Sequence, residues 1–147
     1  TNCKVIPPLR SKADVNALVK AVNTGIIDMI TSDHNPLDVE LKKVELENAA
    51  DGTIGLESFF GVVNSKIELD QLIKAITDNP RKRSGITIPV IAEGETADIT
   101  FFNPEETYEF TEKNILSSSK NSAFLGKELK GRAYGIFNNN KLILNQI

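Results

Sequence analysis

The chain has 147 residues, 40% hydrophobic and 25% charged, a composition ordinary for one globular domain. A formal net charge of −3 excludes the basic field that a general nucleic-acid or anionic-membrane binder needs, and no long apolar run offers a membrane span. A single cysteine, Cys3, excludes an internal disulfide framework and suits a reducing cytoplasm; with His34 as the one histidine, the chain is poorly stocked with zinc ligands.

The chain opens on Thr1 without a charged, apolar leader, and the expectation is a piece of a longer protein. Pro7-Pro8 imposes extended backbone. Ser11 is placed to cap a helix whose apolar positions Val15, Leu18, Val19 and Val22 recur at helical spacing, with Asp14 in its first turn and Gly25 as its stop. Ile26 to Thr31 then reads as a short buried strand. Helix, glycine turn and buried strand are the αβ step of a parallel α/β architecture.

Residues 32–52 are predicted to be a long polar loop, with the Glu40–Glu47 run a solvated face; loops this long are more often functional than idle. The spacing of Gly52 and Gly55 does not fit a phosphate-binding fingerprint and predicts a turn before a helix over Ile54–Asn64. Leu69, Leu72, Ile73 and Ile76 mark another helix, ended by Asn79-Pro80. Near residue 85 the pattern turns to β, with strands expected at Ile86–Ile88, Ala97–Phe102 and Tyr108–Phe110. A last hairpin joins Ala133–Phe137 to Lys141–Leu144 through Asn138-Asn139-Asn140.

The sharpest chemical feature is Thr31-Ser32-Asp33-His34 at the carboxyl end of the predicted strand, where α/β barrels carry their chemistry. A carboxylate there can bind a metal or move a proton. Strand alternation puts Asp33 on the face of Met29 and Thr31, with His34 opposite. The alternative is structural: Asp33 caps the next loop and His34 is a hydrogen-bonded packing histidine. Cys3 reads as an inert thiol, since nothing in its surroundings signals an activated nucleophile. Lys120-Asn121-Ser122 with Gly126 suits either a surface loop or the edge of a cleft.

In order, these segments resemble the carboxyl-terminal third of a dihydroorotase, a cyclic amidohydrolase. Lys4 to Arg10 is similar to the family's K-x-N-P-P-L-R segment, and Asp28 to Pro36 resembles its I-x-T/S-D-H-x-P-H strand end. Gly55-Leu56-Glu57 is similar to G-L-E, Thr77-Asp78-Asn79-Pro80 to N-P-A, Gly94 to Ile99 to G-x-x-A-D, and Ser119 to Gly126 to S-K-N-T-P-F-x-G. Related hydantoinases and allantoinases share several of these segments, but P-P-L-R with D-H-x-P points to dihydroorotase.

The resemblance implies an α/β fold: residues 1–84 end a (β/α)8 TIM barrel with its last strand and helices, and residues 85–147 supply strands of a small β-sandwich. It implies that Asp33 binds zinc and shuttles a proton, with the remaining ligands (an H-x-H pair, a bridging lysine or aspartate, two more histidines) lying upstream of this chain. It implies reversible hydrolysis of dihydroorotate to N-carbamoyl-aspartate in pyrimidine biosynthesis, in the cytoplasm and with no nucleic-acid or membrane partner. The family's substrate-contacting asparagine and histidine fall on Ile6 and Leu37, both apolar departures. Those departures keep two alternatives open: a non-catalytic dihydroorotase-like subunit scaffolding aspartate transcarbamoylase, or a related cyclic amidase such as a hydantoinase. Expected partners are the missing amino-terminal part of the same protein, a small-molecule substrate, and either further copies of the protein or aspartate transcarbamoylase. The 147 residues alone are expected to be inactive and poorly stable, with open strand edges and apolar faces.

Overall fold

The computed structural model describes residues 1–145; the last two residues of the expected 85–147 unit lie outside the described residues. Five helices come first: α1 (Lys12–Asn23), α2 (Val39–Lys42), α3 (Leu56–Asn64), α4 (Leu69–Ile76) and α5 (Asp78–Ser84). Three strands follow, β1 (Ile99–Phe110), β2 (Lys127–Asn138) and β3 (Lys141–Leu144), with a short 3-10 turn at Glu112–Asn114. The strands form one antiparallel sheet in the order β1-β2-β3, so the molecule is mixed α/β with a small antiparallel sheet. None of the described helices is long and apolar enough to cross a membrane.

The locally encoded elements form where the sequence puts them. Ser11 caps α1 in a capping box, its hydroxyl accepting from the Asp14 amide while the Asp14 carboxylate accepts from the Ser11 amide at 3.1 Å. Gly25, at φ +74°, ends that helix in a conformation that costs a side-chain-bearing residue energy. Asn139 and Asn140 both take positive φ, 49° and 58°, and turn β2 into β3 as the Asn run predicted.

Four expectations are corrected. Residues Ile26 to Thr31 join no ladder, because the described residues offer no neighbouring strand; the segment docks through Ile27 and Ile30 on the cluster of Val22, Ile67 and Leu72, and the Ile30 amide donates to Ala75 O at 3.2 Å. Ile86 to Ile88 is irregular for the same reason. Asn79-Pro80 does not end the helical region: α4 stops at Ile76, and Pro80 sits in the first turn of α5, where its missing N–H has no intrahelical partner to lose. Finally, the two expected strands Ala97–Phe102 and Tyr108–Phe110 are one strand, β1, which starts only at Ile99 and whose pairing with β2 is interrupted between Asn103 and Thr107 around Pro104, which cannot donate to a ladder.

The sheet and the helices share a core. Ile54, Phe110, Ile115 and Leu129 cluster together, so the composition boundary near residue 85 is crossed by packing. α3 lies close on β2: a Cβ at Gly61 would stand 2.9 Å from the Leu129 Cβ, so only glycine permits this approach without displacement. At its end Asn64 Nδ2 donates to Pro104 O and Lys130 O at 2.8 and 2.9 Å, tying the helix to the interrupted part of the β1–β2 ladder. Burying side chains such as Phe110, Ile54 and Leu72 contributes about 1.5–3 kcal/mol each. The β3 side chains Leu142, Ile143 and Leu144 remain more than half exposed on an open edge.

Candidate functional site

Asp33 lies just past the extended segment and takes φ +45°, a left-handed conformation that aspartate tolerates better than most residues. It is exposed on this chain, and no cation among the described residues pairs with it. Both of its neighbours are held. Ser32 O packs against Gly55 so closely that a Cβ there would lie 2.6 Å from it. His34 forms an isolated parallel bridge to Thr53, and the Asn35 amide donates to Thr53 O at 2.9 Å.

The His34 ring takes the hydrogen-bonded role of the structural alternative. Its Nδ1 accepts from the Gly55 amide at 3.1 Å and the Leu56 amide at 3.2 Å, donors that the start of α3 would otherwise leave unpaired. Its Nε2 lies 3.4 Å from Ser117 Oγ. Glu57 Oε1 accepts from the Ser117 amide at 2.7 Å and from the Ser117 hydroxyl, while Oε2 is buried with no partner. Burial pushes the Glu57 carboxyl upward, but the Ser117 hydroxyl and amide and its own backbone outweigh that and hold it below the usual glutamate value.

Two further anchors shape the loop after Asp33: Asn121, which the sequence offered within a polar turn, and Lys42, which it gave as part of a solvated run. Asn121 is buried; its Oδ1 accepts from the Leu37 amide at 3.3 Å and its Nδ2 donates to Asn35 O at 3.1 Å. Lys42 sits within the run predicted to be a solvated face, yet it is only 3% exposed. Its ammonium donates to Ala50 O at 2.8 Å, Gly52 O at 2.9 Å and, more weakly, Lys4 O at 3.4 Å. Burial lowers its pKa from the usual lysine value, with Asp51 opposing and Lys4 adding to the effect. A charged residue surrounded by charged neighbours gives no local signal of burial; only the carbonyls that converge on it do. In the Lys120-Asn121-Ser122 turn, Asn121 and Ser122 are buried, and Lys120 and Asn121 edge the adjoining cavity.

A cavity of about 930 Å³ lies between this loop and the start of the chain, lined by Cys3, Leu37, Lys42, Lys43, Lys120 and Asn121 among others. Leu37 lines this cavity, whereas Asp33 and Ile6 do not, and Ile6 is 69% exposed. Cys3 is exposed and unpaired. No group of three or more His, Cys, Asp or Glu side chains capable of holding a metal occurs among the described residues. The His34 nitrogens are engaged by amides and Ser117, so these residues by themselves do not fit a zinc centre and offer it Asp33 alone.

No protein-family model matches the chain. It is 38% identical over 149 residues to a dihydroorotase of Caldicellulosiruptor saccharolyticus, an alignment that covers 97% of this chain and 35% of that protein. The dihydroorotase of Clostridioides difficile is also 38% identical, over 151 residues, with 99% and 35% covered. By sequence the chain belongs with the dihydroorotases. It spans about a third of the length of these curated relatives. Among solved structures, an L-hydantoinase (dihydropyrimidinase) from Arthrobacter aurescens superimposes with a TM-score of 0.83 at 23% identity, over 97% of this chain and 34% of that one. The inactive dihydroorotase-like domain of a Chaetomium thermophilum CAD-like multifunctional protein gives 0.59 at 18% identity, over 95% of this chain and 40% of that one. At these identities the two structures speak to the shared fold.

Proposed function

We propose that this chain is the carboxyl-terminal third of a zinc-dependent dihydroorotase, with residues 1–84 at the end of its barrel and 85–147 in its β-sandwich. In the complete protein the reaction is the reversible hydrolysis of dihydroorotate to N-carbamoyl-aspartate. Asp33 is the catalytic carboxylate that this chain contributes. It takes a proton from the attacking water and hands it to the departing amide nitrogen, work for which a positioned carboxylate is worth about 10²–10⁴ in rate. Zinc is the cofactor the reading implies, its other ligands coming from polypeptide outside these residues.

The observation that carries the reading is the held backbone at Asp33: a left-handed residue fixed on one side by the Ser32–Gly55 packing and on the other by His34. Strained or sparsely populated backbone persists where its surroundings enforce it, and an acid held this way in a dihydroorotase-like chain is a candidate for chemistry. The exposed β3 edge and its three apolar side chains support a partner in the rest of the same polypeptide. Ile6 and Leu37, apolar where the family reads the substrate with polar groups, are expected to raise KM rather than lower kcat.

The test is turnover of dihydroorotate by the zinc-loaded, full-length protein, wild type beside Asp33→Asn. The variant is expected to lose about 10²–10⁴ in kcat at unchanged melting temperature. Full activity in the variant would remove Asp33 from the chemistry, and an inactive wild type would remove the enzyme reading altogether.

A further inference from the structure

Hydrogen bonds around His34 close into a ring. Its Nδ1 accepts from two backbone amides, Gly55 and Leu56, so the neutral imidazole carries its proton on Nε2. That N–H faces Ser117 Oγ at 3.4 Å; the Ser117 hydroxyl in turn donates to Glu57 Oε1, which the Ser117 amide also reaches at 2.7 Å. Glu57 follows Leu56 in the first turn of α3, which brings the path back to its start. Every link runs in one direction, and the imidazole is held at both nitrogens.

The same turn of α3 also grips the other side of Asp33, through the contact between Gly55 and Ser32 O. Rotation of the Asp33 backbone out of φ +45° would have to break the ring on one side or the Gly55 packing on the other. We propose that His34, Ser117 and Glu57 are positioning residues that fix the Asp33 carboxylate through this closed ring. The proposal rests on the catalytic reading of Asp33 given above. None of the three touches substrate in this scheme. Displacing a reacting group by about 1 Å can cost on the order of 10²-fold in rate, so a loose anchor is expected to show in kcat.

The experiment uses the full-length protein and dihydroorotate turnover, with His34→Ala, His34→Asn and Ser117→Ala. The Asn amide oxygen restores an acceptor near the Nδ1 position and nothing at Nε2. His34→Ala is expected to lower kcat roughly 10- to 100-fold with KM within about twofold, His34→Asn to recover most of that loss, and Ser117→Ala to lower kcat about three- to tenfold. A His34→Ala enzyme with wild-type kcat, a loss confined to KM, or a His34→Asn variant no better than His34→Ala overturns the proposal. Should His34→Ala fail to fold, Ser117→Ala decides: lowered kcat at constant KM supports the ring, and unchanged kcat overturns it. An inactive wild type defeats the enzyme reading instead, and the anchor is then read by hydrogen exchange. Protection of the Gly55 and Leu56 amides that is lost in His34→Ala and regained in His34→Asn supports it, and the absence of such protection in the wild type overturns it.

Discussion

Truncating Asn121 to alanine tests whether the loop after Asp33 is held by one buried side chain. Four contacts converge on that amide, but they do not weigh equally. Gly52 O, at 3.5 Å from Nδ2, keeps its shorter bond from Lys42, and Ser119 Oγ keeps Leu37 O as a partner. The Leu37 amide and Asn35 O lose the bonds they have and sit in a part-buried site. Each orphaned group costs about 1–3 kcal/mol, and water entering the vacated volume recovers some of it, so Asn121→Ala should cost about 2–4 kcal/mol. For a domain of this size that is a fall of roughly 5–15 °C in melting temperature. The Asn121→Asp variant should restore only the acceptor side, toward Leu37. Urea denaturation measures the change as a shifted midpoint at constant slope. A shift worth less than about 0.5 kcal/mol, the range of an ordinary surface substitution, would refute the reasoning.

Four other predictions follow the same logic. Lys42→Met leaves Ala50 O unpaired and Gly52 O with only its 3.5 Å contact to Asn121, but relieves the buried ammonium, for a net loss of about 1–2 kcal/mol at neutral pH by urea denaturation. Because burial holds the folded pKa of Lys42 below its unfolded value of 10.5, the unfolded chain binds the proton more readily between the two; wild-type stability should rise through that window relative to Lys42→Met, and parallel pH profiles would contradict this. Gly55→Ala forces a Cβ to within 2.6 Å of the Ser32 backbone oxygen and should cost about 1–3 kcal/mol by overpacking, measured by thermal melting. Glu57, held below 4.5, contributes stability that is present above its unfolded pKa and fades as pH falls through its folded one; a Glu57→Gln protein should show a flatter acid limb in its stability profile.

The elements legible in the sequence are those whose causes are local. Ser11 with Asp14, the spacing of Val15, Leu18, Val19 and Val22, and the Asn138–Asn140 turn each carry their conformation within a few residues, and each forms as read. The motif order also sufficed for the dihydroorotase likeness, which needs residue identity and no geometry. Pro80 is ambiguous in sequence because a proline that breaks a helix interior also fits the first turn of one, and only the neighbouring turn distinguishes the two. The segment at residues 26–31 has the β-branched composition of a strand, but a ladder requires a partner's amides and carbonyls, and among the described residues none lies beside it.

The sequence by itself determined the family likeness, the capped first helix and the Asn turn, and it singled out one acid after an apolar run that the structure leaves half-exposed. Tertiary structure alone decided that His34 faces the first amides of α3, that Ser117 joins it to Glu57 across more than 50 residues of chain, and that Lys42 leaves its charged neighbours to fill a nest of carbonyls. The physical reason is the same in each case: a hydrogen bond between residues distant in sequence is set by where the folded backbone places donor and acceptor, and composition along the chain carries no record of that distance.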